Sequence, residues 1–493
     1  MLRRLAFAAL IACLPYARAE LPAPVSAALA ANGLPEDALA VVVLRGDAVL
    51  LSAQAERPMQ PASTMKLLTT AIGLDLLGPV FRGRTELRSE AEVADGVLQG
   101  DLVLRGGADV DFSTEALDHM LHTLRNQGIR QIAGNLVVDR SLFTPSRLDV
   151  GVPPFDESPE AYYNVIPDAA LLNRNMLEVD MRATNKRLTL ALWPQLEGVS
   201  VTSDMRLIDA DCARWEDGWK LPEVKRTAFG RLKVILHGTF PRNCARTNAI
   251  NVLDRQDYVE RMFRAEWKRL GGSLRGQVVE GTAPASTRLL ADHVSRALPE
   301  IVRDTNKPSD NLLARTIFLS LGSLETDPAL GSHPLPAIAE PGATLVRADA
   351  AVRSWLRAHG ISDDGLVLEN GSGLSRLERV TPAQMAGVLQ AALRGKWAPE
   401  FLASLPIAAV DGTMRRRLKD TAAAQHARLK TGTLRNVTAL AGVVPDRDGK
   451  PCVLAAMVND EKSGNGKGRA VLDALVDWLA NSSAEALNPP AGK

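Results

Sequence analysis

Three short stretches of the chain carry residue types suited to acyl transfer. The first is Pro61-Ala62-Ser63-Thr64-Met65-Lys66. Apolar residues recur at Met65, Leu67, Leu68, Ile72, Leu74, Leu76 and Leu77, the pattern of a buried helix with Ser63 at or near its start. Spacing of i to i+3 sets Ser63 and Lys66 side by side on one face. A serine hydroxyl needs a base to become a nucleophile, and a lysine can be that base where burial and a neighbouring cation, here Lys430, lower its pKa. The helix N-terminus adds free N–H groups and the positive end of the dipole, both favourable to developing negative charge. A cap serine and a surface lysine share this spacing, so the pair alone decides little. The lysine's place in an otherwise apolar helix is what marks it.

The second stretch, Lys307-Pro308-Ser309-Asp310-Asn311, opens an apolar helix over Leu312 to Leu321. An ordinary cap would use Ser309, with Asp310 in the first turn. The chemical alternative puts the Ser309 hydroxyl in a proton relay with Lys66 and the Asn311 amide on a substrate carbonyl. The third, Arg428-Leu429-Lys430-Thr431-Gly432-Thr433, is strand-like, with a glycine that would let a substrate backbone lie close. It could be an edge strand with a protective lysine. As chemistry, Lys430 and Thr431 would bind a substrate carboxylate, Lys430 staying charged to do so. The backbone N–H groups of Ser63 and Thr433 would then form an oxyanion hole. Each motif is weak alone; Ser-x-x-Lys, Ser-x-Asn and Lys-Thr-Gly in this order form one known catalytic set.

These stations need a scaffold that brings distant segments together. A short helix (Val25 to Ala31) and two strands (Ala40 to Leu44, Ala48 to Ala53) precede the Ser63 helix. Strands Arg428 to Thr431, Thr438 to Val444 and Cys452 to Asn459, then a helix from Gly468 to Ala480, can complete the sheet begun at Ala40. The expected fold class is therefore α/β (α+β), with one discontinuous catalytic domain over 20–84 and 286–493. Between its halves lies an inserted α/β domain, 85–176 and 245–285, itself interrupted by a nested β-rich domain over 177–244. Gly331 to Gly342, with three prolines, is expected as a loop.

With 493 residues the chain can bury a large core. Its 58 basic and 57 acidic residues leave a net charge of +1, which argues against a nucleic-acid partner. Arg3 and Arg4, the apolar run Leu5 to Leu14 and Ala17-Arg18-Ala19 resemble a cleavable export signal over 1–19, and so a periplasmic protein. Leu10-Ile11-Ala12-Cys13 offers an alternative, a lipoprotein box that would lipidate Cys13. No later stretch has the length of a membrane span, so no transmembrane anchor is expected. In an oxidising compartment Cys212 and Cys244, both in the polar nested region, are the natural disulfide pair. Cys452 sits in a core strand as a small hydrophobe. The seven histidines show no ligand spacing, and neither metal nor cofactor is assigned.

With these motifs on the page, the chain resembles the class C low-molecular-mass penicillin-binding proteins, the D-alanyl-D-alanine carboxypeptidase/endopeptidase group. Pro61 to Lys66 matches the group's nucleophile box. Asn370-Gly371-Ser372-Gly373-Leu374-Ser375-Arg376 and Asp411-Gly412-Thr413-Met414 are similar to two further hallmarks, with Asn370 where the group's aspartate is expected. The resemblance implies a serine DD-peptidase / β-lactamase-like catalytic domain with two inserted domains. It also implies an acyl-enzyme acting on peptidoglycan stem peptides and cross-links, and β-lactam antibiotics as covalent inhibitors. The resemblance makes Asp156 the candidate for an acidic residue of the insertion facing a diaminopimelate side chain; its surroundings match loosely, and no role is carried over to it. A serine β-lactamase and a non-catalytic muropeptide-binding wall protein stand as the alternatives. The first lacks an assignable deacylating base, and the second would have no need of the nucleophile.

Overall fold

The structure is a computed structural model describing residues 20–336 and 342–483. The export-signal stretch 1–19 and Cys13 lie outside the described residues.

A five-stranded antiparallel sheet runs in the order Ala48–Ala53, Leu39–Arg45, Pro451–Asn459, Val437–Pro445, Arg428–Leu434. Its central strands are apolar almost without interruption, because both faces are covered. Side chains alternate between the two cores with the period of a strand. Leu39, Val41 and Val43 pack with Val25, Leu29, Leu472 and Leu475 of the helices Ala23–Ala31 and Lys467–Asn481. Ala40, Val42, Ala439 and Met457 face the opposite way, onto the helices Met65–Leu77 and Pro382–Arg394. Each large aliphatic side chain contributes about 1.5–3 kcal/mol on burial, and a polar replacement at Val41 would forfeit it. The nucleophile helix is thus pressed flat on one sheet face, its first turn against the edge strand that carries Lys430.

The insertion has a separate core, with Leu104, Leu121, Leu136, Phe263 and Trp267 in one cluster. Its main sheet runs Val278–Glu280, Leu136–Asp139, Leu102–Gly107, Arg84–Ser89, Arg288–Val294. The helix Thr114–Asn126 is capped by Ser113, whose hydroxyl accepts from the Ala116 N–H; Asp254 caps Arg255–Arg269 in the same way. The nested part holds a three-stranded sheet, Leu188–Trp193, Leu177–Ala183, Ala245–Ile250, and a four-stranded one built on Leu232–Pro241. Cys212 and Cys244 are disulfide-bonded, and Cys452 is free and buried in the main sheet.

Strand pairing bears on three of the expected boundaries, the first by one residue, since Arg84 opens the strand Arg84–Ser89. Arg288–Val294 pairs with Arg84–Ser89, so the chain returns to the catalytic part after residue 294 rather than at 286. Ala245–Ile250 pairs with Leu177–Ala183, which carries the nested part past residue 244 to Ile250. Gly331–Pro334 is not loop but a short strand paired with Leu324–Asp327. Composition hid it, because its proline stands at the strand end, where no ladder hydrogen bond is lost. Among the described residues no helix is long and apolar enough to cross a membrane.

Candidate active site

The helix Met65–Leu77 begins in a single 3-10 turn, Ala62–Thr64, and Ser63 lies within that turn. Thr64 closes it, donating to the Pro61 carbonyl through its N–H (3.2 Å) and its Oγ1 (2.7 Å). Two glycines let other backbone reach the turn. A Cβ on Gly432 would meet the Pro61 carbonyl oxygen at 2.6 Å and Ser63 N at 3.1 Å, and one on Gly373 would meet the Ala62 carbonyl oxygen at 1.8 Å. No side chain fits at either place. The close approach that the sequence suggests for substrate at Gly432 is therefore made by the protein's own nucleophile turn.

Lys66 is drawn in with the apolar helix and is fully buried. Its Nζ lies 3.1 Å from Ser63 Oγ, 2.6 Å from Asn311 Oδ1 and 2.5 Å from the Ser372 carbonyl oxygen. The last two can only accept. A neutral amine has two hydrogens and one lone pair. With the hydrogens directed at Asn311 and Ser372, the lone pair is left for the Ser63 hydroxyl. Burial pulls the Lys66 pKa down to about 7; Glu378 opposes the shift, Arg315 adds to it and Asp310 opposes it. Arg315, in the helix Asn311–Leu321, supplies the cationic push that the sequence suggests for Lys430.

Asp310 caps that helix, accepting from the Leu313 N–H, which leaves Ser309 free of capping. Ser309 stands at φ 70°, a left-handed conformation that turns its side chain across the cleft. Its hydroxyl accepts from Lys430 Nζ at 2.8 Å. The expected Ser309–Lys66 relay is thus corrected: Lys66 is committed to Ser63, Asn311 and Ser372, and Ser309 partners Lys430. Lys430 also donates to the Thr431 carbonyl (2.9 Å) and is fully buried. Burial, reinforced by the charge of Lys66, pushes its pKa well below the ordinary ammonium value. A carboxylate bound beside Lys430 would oppose that shift and favour its charged form. Thr431 Oγ1 donates to Thr413 Oγ1 at 2.8 Å, and Thr433 is exposed on the same strand.

Asn311 Nδ2 donates to the Tyr163 carbonyl (3.0 Å), so the insertion holds a residue of the cleft in place. Asp156 shapes that loop, accepting from Ser158 N, Asn164 Nδ2 and Tyr163 Oη. A cavity of about 650 Å³ borders the cleft, walled by Phe155, Asn164, Arg315, Asn370, Leu374 and Arg376. The Arg376 guanidinium lies 5.0 Å over the Phe155 ring.

Sequence reasoning missed Ser372, Glu378, Arg315 and Tyr163. Ser372 and Tyr163 act through backbone carbonyls, which no residue type announces. Arg315 interrupts the apolar stretch Leu312 to Leu321, a signal that could have been followed. Glu378 lies in Arg376-Leu377-Glu378-Arg379, which has the look of a solvated charge run, yet it is fully buried. Asn370, in the place of an aspartate, accepts from Ser372 N and Oγ and donates Nδ2 to the Leu374 carbonyl; a carboxylate could not make the last bond.

The profile of the D-Ala-D-Ala carboxypeptidase 3 (S13) family matches residues 21–482. A D-alanyl-D-alanine carboxypeptidase of Actinomadura sp. is 31% identical over 446 residues, covering 87% of this chain and 78% of that protein. The D-alanyl-D-alanine carboxypeptidase DacB of Haemophilus influenzae is 27% identical over 436 residues, covering 86% of this chain and 85% of that protein. The crystal structure of penicillin binding protein 4 (dacB) from Haemophilus influenzae superposes with a TM-score of 0.76 at 25% identity, covering 93% of this chain and 99% of that one.

Proposed function

The chain belongs to the D-Ala-D-Ala carboxypeptidase 3 (S13) family, and from that premise we propose how its residues divide the work. It is a serine-type D-Ala-D-Ala carboxypeptidase with the serine DD-peptidase fold. In our reading Ser63 Oγ attacks the carbonyl of the penultimate D-alanine while neutral Lys66 takes the hydroxyl proton. The N–H groups of Ser63 and Thr433 receive the oxyanion. Lys430, with Thr431 and Ser309, holds the terminal carboxylate, and the free hydrogen of the Asn311 amide binds a substrate carbonyl. Collapse of the adduct breaks the peptide bond, and the proton that Lys66 took from Ser63 passes to the departing D-alanine nitrogen. This leaves Lys66 neutral again to take a proton from the attacking water and return it to Ser63 Oγ. The Ser63 ester that remains is cleaved by water. The observation that carries this reading is the three-way setting of Lys66 Nζ, which leaves a lone pair only towards Ser63.

The same acyl transfer would open D-Ala cross-links as an endopeptidase, with the 650 Å³ cavity taking the bulkier substrate. β-Lactams would stop at the Ser63 ester. A peptidoglycan substrate supports a periplasmic location, which the 1–19 stretch, read as a cleavable export signal, would provide. The catalytic part comprises 20–83 and 295–483, the insertion 84–176 and 251–294, and the nested part 177–250, divisions that rest on the strand pairing above.

The test is labelled penicillin on the protein lacking residues 1–19, followed by mass spectrometry and by incubation with monomeric and cross-linked muropeptides. A stable adduct on Ser63, lost with both labelling and peptidase activity in Ser63→Ala, is expected. An adduct on another serine overturns the assignment. Rapid release of hydrolysed penicillin would point to a β-lactamase, and no labelling at all to a binding protein.

A further inference from the structure

Four backbone N–H groups converge on one buried side chain beside the cleft. Glu378 Oε1 accepts from Glu369 N (3.2 Å), Asn370 N (2.9 Å) and Gly371 N (2.8 Å), and Oε2 accepts from Gly373 N (2.9 Å). Gly371 and Gly373 stand at φ 70° and 80°, which turns the N–H groups inward as an anion-binding concavity. The anion is the protein's own carboxylate, and it is fully buried.

The outward side of the same loop faces the nucleophile helix. The Gly371 carbonyl accepts from Thr69 Oγ1 at 2.6 Å, and the Ser372 carbonyl accepts from Lys66 Nζ at 2.5 Å. The Ser372 carbonyl and the Gly373 N–H belong to one peptide unit. Glu378 Oε2 therefore connects to Lys66 Nζ through a single amide, and an acceptor at one end of an amide strengthens the acceptor at its other end.

We propose that Glu378 is a positioning residue for acylation: by folding the 369–373 backbone around its carboxylate, it holds the Ser372 carbonyl on Lys66 and lays a fixed negative charge near that lysine. This rests on the reading of Lys66 as the base. A structural role alone would ask for acceptors at both oxygens, of which a glutamine supplies one. The charge does something further. Lys66 is faced by Glu378 and Asp310, which favour its protonated form, and by Arg315, which disfavours it; Lys430 lies across the cleft from it. Glu378 in turn acts on Arg315 as well as on Lys66. Burial, the larger effect, leaves the Glu378 pKa raised and the backbone N–H groups limit that rise, while the geometry, with N–H donors on both oxygens, is that of a carboxylate. Glu378 thus sets how far burial can lower Lys66.

The experiment is the pH dependence of Ser63 acylation by a fluorescent penicillin in the parent, Glu378→Gln and Glu378→Asp. Acylation needs neutral Lys66, so the parental rate rises with pH through about 7. Glu378→Gln removes the negative charge, lowers the Lys66 pKa and should move that rise to lower pH by about one unit. Its plateau rate should fall roughly ten- to a hundredfold, because the Gly373 N–H then meets an amide donor and the loop shifts. Glu378→Asp keeps the charge, so the rise should stay in place while the plateau falls. A uniformly slower Glu378→Gln with the rise unmoved overturns the proposal, since that is what a structural role predicts. If Glu378→Gln does not fold, Glu378→Asn takes its place as the neutral variant: a rise displaced to lower pH relative to Glu378→Asp supports the proposal, and a rise left in place overturns it. A parent that does not acylate at Ser63 removes the functional reading and this one with it. A parent that acylates normally, with variants that fail the test, removes only the role of Glu378.

Discussion

The chain buries charge in two places and treats it in opposite ways. In the insertion, Arg140 Nε and Arg255 Nη1 share Asp168 Oδ2 at 2.9 and 3.2 Å, and Arg255 also donates to the Pro167 and Ile166 carbonyls. Charge meets charge there, and the loop running into the cleft is pinned. In the cleft, Lys66 and Lys430 are equally buried, but their hydrogen-bond partners are hydroxyls, a carboxamide and carbonyls, with no carboxylate among them. Neutral acceptors satisfy the hydrogens without repaying the loss of hydration, so both lysines are driven towards the neutral amine. Paired burial fixes geometry; unpaired burial favours the neutral amine that the proposed mechanism needs at Lys66.

The comparison breaks most sharply at Lys66. Lys66→Arg keeps the charge on a group that does not deprotonate in a protein. Acylation by a D-Ala-D-Ala peptide should fall roughly 10²- to 10⁴-fold, as for loss of a general base, and the parental rise with pH should vanish. Near-parental acylation kinetics would show that Lys66 is not the base. In the insertion, Asp168→Asn leaves two buried guanidiniums without their shared anion. It should lower stability by about 3–5 kcal/mol in denaturant unfolding, while acylation well below the transition stays within a few-fold of the parent. A loss of rate matching that of Lys66→Arg would erase the distinction between the two regions.

Smaller effects sharpen it. The Cys212–Cys244 bridge closes a sequence separation of 32 and should contribute about 2–4 kcal/mol to the nested part. The double alanine variant should unfold earlier, yet label with penicillin at the parental rate in the cold. Lys430→Ala should weaken acylation by the free-acid peptide roughly 10- to 100-fold, the range of a charge-assisted hydrogen bond. Acylation by the C-terminally amidated peptide should change far less. An equal loss on both peptides would leave Lys430 without its carboxylate.

Legibility followed the same division. The main sheet and the helices packed on it could be read because period-two and period-3.6 patterns are imposed by burial on local sequence. Val41 and Leu68 declare themselves by their neighbours. Motif spacing singled out Ser63, Lys66, Ser309 and Lys430, which the fold brings to one cleft, but the pairing among them was not legible. Whether Ser309 faces Lys66 or Lys430 depends on a left-handed φ and on which acceptors already fill the Lys66 shell. Glu378 was invisible because a charged residue in a loop usually lies in water, and only the N–H groups turned inward at the left-handed Gly371 and Gly373 explain its burial. The boundaries at 244 and 286 failed for a similar reason: edge strands such as Arg288–Val294 carry the register of a sheet begun about two hundred residues earlier.

The pairing of Leu39–Arg45 with Pro451–Asn459 also has a temporal side. Leu39 is matched with Val458, so the second strand of the catalytic sheet waits for nearly the last segment to be synthesised before it gains its inner neighbour. Lys430 and the Ser372 carbonyl likewise arrive hundreds of residues after Ser63. A growing chain displays the nucleophile long before anything can activate it. The insertion, whose sheets pair within 84–294, can fold meanwhile and keep the two halves near each other. On the proposed reading of the cleft, hydrolytic competence is thus the last property the molecule acquires.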